Sequence, residues 1–373
     1  MAGIGVKLNN IYGKRTLTTN IIGMGYSTVM TIAPMLTVIG ALCIMEHFLG
    51  FDSVGYATRE LFSCTVLYIF IFSLLTASPF NSVLSKYMSD IIYEETFEDI
   101  LPCYYVGMIL NITFSALFGI PFCIHEYLVG NVDIIYVFTG YCGFVALVLV
   151  FYSMLYLSIC KDYKKISFFF MIGMAVTVLL SFLFVKVIHM SITYGMLLAL
   201  AIGFWMIACL EFALIRSYFR ENSGRYRRVF HYFREYWPLV LTNFLYTLGL
   251  YIHNFVFWTV PGRLFVASTY YSHQAYDMAS CLAMFTNISV MVSFMVVVET
   301  RFHTAYKEYM EGVIGGTYKM IVKGRKKLFR TLSQQIIQVF GTQIAITSVV
   351  FLFMVLFGKK IGFDSVTMTI YPM

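Results

Sequence analysis

VDIIYVFTGYCGFVALVLVFYSMLYLS, Val132 to Ser158, runs straight into ICKDYKK, Ile159 to Lys165, before a second apolar run opens at Ile166. The first run holds one charge, Asp133, and is longer than the roughly 20 residues a helix needs to cross hydrocarbon. Three lysines crowd the seven-residue joint. The pattern predicts two membrane helices joined by a short cationic turn. Outward from it the same pattern recurs, giving nine apolar runs near residues 16–45, 61–85, 103–122, 132–158, 166–188, 194–215, 237–260, 278–298 and 331–357.

The cations sort by side. With the N-terminus in the cytoplasm, the inner segments hold 21 of the 26 Lys and Arg residues. The richest are the stretch from Arg216 to Arg234 and the stretch from Arg301 to Arg330. The outer segments keep only Arg59, Lys186, Arg263, Lys359 and Lys360. Inverting the chain would place the large set outside, so the sequence predicts a multi-pass membrane protein with its N-terminus in the cytoplasm.

Composition excludes a water-soluble globule: 60% of residues are hydrophobic and 12% charged, against about 25% charged in soluble domains. The net charge of +7 lies in the inner loops, where topology and contact with anionic lipid account for it, and calls for no nucleic acid. The first fifteen residues are too polar for a signal-peptide core, so no segment is expected to be removed. The eight cysteines are scattered without a CxxC pair, which supports neither a metal site nor a disulfide framework. No hydrolase motif, phosphate loop or cofactor signature is present, so the expectation is a transporter rather than an enzyme, with its energy drawn from outside the chain.

The fold class predicted is all-α, a polytopic membrane helix bundle. Residues 1–215 form a six-helix lobe, 216–236 an Arg-rich cytoplasmic linker, and 237–373 a three-helix lobe with a cytoplasmic segment at 301–330. That segment reads as a helix broken at Gly315 and Gly316. Transporters are often built from paired repeats, so six spans followed by three predict three further spans.

Several local patterns, in order along the chain, resemble the Pel exopolysaccharide transporter family (PelG). They are Met1-Ala2-Gly3-Ile4-Gly5, Ser89 to Tyr93, Leu101-Pro102, Gly249 to Trp258, Tyr276-Asp277, and Glu299-Thr300 with Phe302 and Tyr306. The resemblance implies the multidrug/oligosaccharidyl-lipid/polysaccharide flippase superfamily, with twelve helices in two six-helix lobes around a central cavity. It further implies export of a polymer rich in N-acetylgalactosamine and galactosamine for a biofilm matrix. The implied partners are a cytoplasmic glycosyltransferase and membrane proteins, one of which senses cyclic di-GMP. One departure stands out: where the family usually places an acid-base pair before its Phe/Trp run, this chain has His253-Asn254.

Candidate substrate-path residues follow from the cost of polar groups in hydrocarbon. In the seventh run, Asn243, Thr247 and Asn254 recur at spacings of four and seven, so they share a helix face that can hydrogen-bond sugar hydroxyls or a neighbouring helix. His253 lies beside them and can titrate near neutral pH or simply pack. Asp277 and Glu299 bracket the eighth run, about 33 Å apart on a straight helix, with Asn287 between them. Carboxylates at both mouths would attract a cationic polymer; both can equally anchor the helix ends. Glu211, a turn and a half from Arg216, is expected to reach the interface, and the cluster Asp90, Glu94, Glu95, Glu98 and Asp99 to be a solvated face. No carboxylate in the N-terminal lobe stands out as an ion site. The presence of one would favour a small-molecule antiporter of the same fold. A lipid-linked oligosaccharide flippase and a transport-inactive scaffold of the synthase are compatible with the same sequence features.

Overall fold

The computed structural model describes residues 17–94, 96–160, 162–297 and 302–361. Glu299 and the Met1 to Gly5 pattern lie outside the described residues, as does the side chain of Asn287.

Eleven α-helices follow one another among the described residues. They are α1 Leu17–Leu49, α2 Tyr56–Tyr93, α3 Ile100–Leu128, α4 Ile134–Ile159, α5 Tyr163–Phe182, α6 Ile192–Tyr218, α7 Tyr226–Glu235, α8 Trp237–Phe257, α9 Gln274–Val297, α10 His303–Gly315 and α11 Tyr318–Ile361. Between α8 and α9 lies a hairpin of two short strands, β1 Leu264–Val266 and β2 Tyr270–Ser272. Seven of the helical segments are long and apolar enough to cross a membrane: those of α2 to α6, α8 and α11. The other two apolar runs of the sequence fall in α1 and α9, which are helical as well.

The chain divides into two compact units. One is Pro34–His273; the other comprises the described parts of Met1–Ala33 and Gln274–Met373. In the second unit α9 and α10 each pack on α11. The helix α10 ends at Gly315, and Gly316 follows in an extended conformation, so the Gly-Gly pair breaks the helix as its backbone freedom predicts. The cytoplasmic stretch expected at 301–330 does not stop there. It joins the last apolar run to make α11, whose 44 residues measure about 66 Å, roughly twice a hydrocarbon core.

In the unit Pro34–His273, α4 is the central helix, lying against α2, α3 and α6. The Asp133 side chain starts it by accepting a hydrogen bond from the Ile135 amide at 3.1 Å. Small residues set how closely its neighbours approach. A methyl group on Gly107 of α3 would overlap the Tyr152 ring of α4, and one on Gly203 of α6 would overlap Thr177 of α5. Inside this packing Tyr104 and Tyr152 find partners for their hydroxyls, as groups shut away from water ordinarily do. Tyr152 donates to the Tyr104 carbonyl at 2.8 Å, and the Tyr104 hydroxyl pairs with Ser153 at 2.8 Å.

Proline also shapes α2. Pro79 has no amide hydrogen to give the Leu75 carbonyl, and the Ser78 hydroxyl donates to that carbonyl instead at 3.1 Å.

The Arg-rich segment is not a solvated tether. Its core, α7, is an amphipathic helix laid against the ends of α2 and α3. Asp99 is fully buried there, held by Arg228 at 3.0 Å and Arg225 at 3.2 Å and by the Ser223 hydroxyl. Arg228 also reaches Glu94 at 2.8 Å, and Arg225 pairs with Glu98. Tyr232 donates to Asp90, which pairs with Lys86 at 3.0 Å. Burial pushes the Tyr232 hydroxyl up to about 12, so it stays a neutral donor. The acidic cluster expected to be a solvated face is therefore the socket for the basic helix. The sequence shows both charge runs but not that they meet across more than 120 residues.

Candidate transport site

Away from the α7 socket, toward the hairpin, the unit Pro34–His273 holds a chamber of about 410 Å³. Its walls are mostly rings and aliphatic groups: Phe122 of α3, Tyr136 and Tyr141 of α4, Phe244 and Phe255 of α8, and Tyr270 of β2. Segments far apart in the chain meet there because α8 packs along α2, bringing the far side of the Arg-rich segment back onto the first helices of the unit.

The hairpin is tied to the chamber by Tyr68 of α2. Its hydroxyl accepts from the Tyr271 amide at 2.9 Å and donates to the Tyr271 carbonyl at 2.8 Å. Its ring stacks on Trp258 at 5.0 Å and meets Tyr270 at the same distance. The turn between the strands places Ala267 and Ser268 at φ 48° and 56°, the left-handed region that favours glycine. That turn comes close to the end of α3, where a methyl group on Gly130 would lie 2.9 Å from the Ala267 carbonyl.

Among the described residues, one charged side chain lines the chamber: Glu126, near the end of α3. It is fully buried, and neither carboxyl oxygen has a hydrogen bond of normal geometry. The hydroxyls of Thr269 and Tyr270 stand beside it. Burial holds the Tyr270 phenol well above its ordinary range, so it is neutral. Elsewhere in the unit, Glu211 on α6 is also fully buried with no hydrogen bond to either oxygen. This corrects the expectation that Glu211 reaches the interface. Arg216 donates to the Tyr105 hydroxyl at 2.8 Å, and the Glu211 carboxyl stays among packed helices.

The residues singled out from the sequence lie as follows. Asn243 donates its side-chain amide to the Ser78 carbonyl of α2, tying α8 to the turn that Pro79 leaves short of an amide donor. Asn254 is buried, while Thr247 and His253 are not fully so. The α8 residues that line the chamber are Phe244, Leu248 and Phe255, on the adjoining face. Asp277 is half-buried in the first turn of α9, where a carboxylate complements the helix dipole. Glu126 escapes a sequence reading because His125-Glu126-Tyr127 looks like the polar flank of a span. The available signal is its position inside the helix, before Leu128.

The fold is that of known transporters. A multidrug resistance MATE family transporter of the MOP superfamily, in its outward-facing conformation, matches at a TM-score of 0.59 and 14% identity over 92% of this chain and 76% of that one. The Vibrio cholerae MATE transporter VcmN in its bent form matches at a TM-score of 0.59 and 11% identity, covering 99% of this chain and 78% of that one. No curated protein sequence matches the chain. The model of the PelG family, described as an exopolysaccharide exporter (EPS-E), matches residues 1–373. The chain therefore belongs to the PelG family of exopolysaccharide exporters and is a multi-pass membrane transporter of MATE-like fold.

Proposed function

We propose that the protein exports a polymer rich in N-acetylgalactosamine and galactosamine across the bacterial inner membrane, with its N-terminus in the cytoplasm, to supply a biofilm matrix. The observation that carries this reading is the family match along residues 1–373. The sorting of 21 of 26 cations to one side supports the orientation, in which the α7 socket would lie at the cytoplasmic face. A glycosyltransferase and a cyclic di-GMP-sensing membrane protein would meet the transporter on that side. The lobes at 1–215 and 237–373, joined through 216–236, would rock against one another. Asn243, Thr247, His253, Asn254, Asp277, Asn287 and Glu299 are the proposed path residues.

The test is complementation. A host that lacks its own Pel transporter and receives this chain should accumulate galactosamine polymer outside the cell. Absence of polymer, with the protein present in the membrane, would refute this substrate. A second reading, ion-coupled antiport of a small molecule by the same fold, is favoured by the buried carboxylate Glu126 in an aromatic chamber. Drug resistance conferred by the chain in the same host, without polymer export, would select it.

A further inference from the structure

The chamber is poorly suited to sugar. A hexose brings several hydroxyls, each needing a partner when it leaves water, and these walls are mostly rings and methyl groups. What the chamber does hold is a carboxyl group without a counter-charge among the described residues that line it. An ionised carboxylate without a counter-charge in such a place costs several kcal/mol, so Glu126 has to be matched by a cation or neutralised by a proton.

The neighbours decide between these. Among the described residues, the groups near Glu126 are Tyr270 and Thr269 from the hairpin, Tyr136 from α4 and Cys123 from its own helix, with Tyr141 of α4 and Tyr68 of α2 lining the same chamber. From α8 come only Phe244, Leu248 and Phe255. None of the described Lys or Arg residues lines the chamber, and His125, next in sequence, is not among its walls. A hard metal cation takes about six oxygens or more, whereas the carboxyl group and the two hydroxyls beside it supply four. A proton needs one. A hydroxyl, being both donor and acceptor, can serve the carboxylate and the carboxylic acid alike.

We propose that Glu126 is a proton-binding site, and that the β1–β2 hairpin governs its loading. With the hairpin anchored through Tyr68, Glu126 is shut from water and holds its proton. When the hairpin lifts, the Tyr68–Tyr271 hydrogen bonds break, water reaches the carboxyl group and the proton leaves to it. Proton binding at Glu126 does not depend on the identity of the transported molecule.

Trp258 reports on this directly, since it stacks on the anchor Tyr68 and is buried. The full chain, with Trp205 and Trp237 replaced by Phe, is purified into lipid nanodiscs, and Trp258 emission is followed against pH. The expected result is a one-proton transition, lost in Glu126→Gln and kept with a displaced midpoint in Glu126→Asp. The same transition in Glu126→Gln would overturn the assignment, as would a pH-independent emission in the parent protein. Sodium ion or tetraphenylphosphonium that shifts the emission at fixed pH in the parent and not in Glu126→Gln would replace the proton with a cation.

Discussion

Asp99 and Glu126 stand at opposite ends of α3, equally buried and in opposite company. Asp99 sits between two guanidinium groups at 3.0 and 3.2 Å, whereas Glu126 faces aromatic rings and hydroxyls. Burial is the same, so burial cannot be what separates their roles. The partner does. Opposite charges in fixed geometry make Asp99 a staple that holds α7 to the ends of α2 and α3. Glu126 has only groups that tolerate both of its states. One end of the helix is built to stay as it is and the other to change.

Three sets of substitutions bear on that contrast. Removing both cations, Arg225→Ala with Arg228→Ala, strands Asp99 as an uncompensated buried charge and should cost about 3–5 kcal/mol. Thermal unfolding in detergent would show it, with faster proteolytic cutting between residues 219 and 236; unchanged stability would mean that the ion pairs do not hold the helix. Tyr68→Phe keeps the stacked ring but loses both hydrogen bonds to Tyr271, a loss of about 1–3 kcal/mol felt mainly by the hairpin. Amide exchange at residues 264–272 should quicken while α2 itself stays protected, and uniform exchange across both would remove Tyr68 as the anchor. The smallest effect is the most telling. Asp99→Asn should lower the unfolding temperature measurably, while Glu126→Gln, a neutral copy of a group already kept neutral, should change stability by less than about 0.5 kcal/mol. Equal losses from the two would erase the distinction.

Much of the fold was readable in the chain. The apolar runs from 61 to 260 correspond to helices because a backbone in hydrocarbon must satisfy its own hydrogen bonds, so a long apolar stretch has almost no other choice. The break at Gly315 and Gly316 was local and therefore legible. The Arg-rich segment was visible as a charge run, but charge alone does not say whether a segment is solvated or docked; that depended on Asp99 and Glu98 being carried to the same place. The site was harder to read. The α8 stripe of Asn243, Thr247 and Asn254 is a sound description of one helix face, yet the face that lines the chamber is the apolar one beside it. Glu126 was hidden because a glutamate near a helix end is ordinarily wet, and nothing in the residues around it announces the hairpin that covers it.

The sequence by itself determined that the chain crosses the membrane many times, where most of the crossings lie and which connections carry the cations. Those are properties of segments about twenty residues long, set by transfer free energies that each segment carries alone. Only the tertiary structure decided that α7 closes on an acidic socket, that α8 returns along α2, and that a hairpin far downstream in the chain places two hydroxyls beside Glu126. A carboxyl group takes its character from its neighbours, and those neighbours are chosen by the packing of helices distant in sequence.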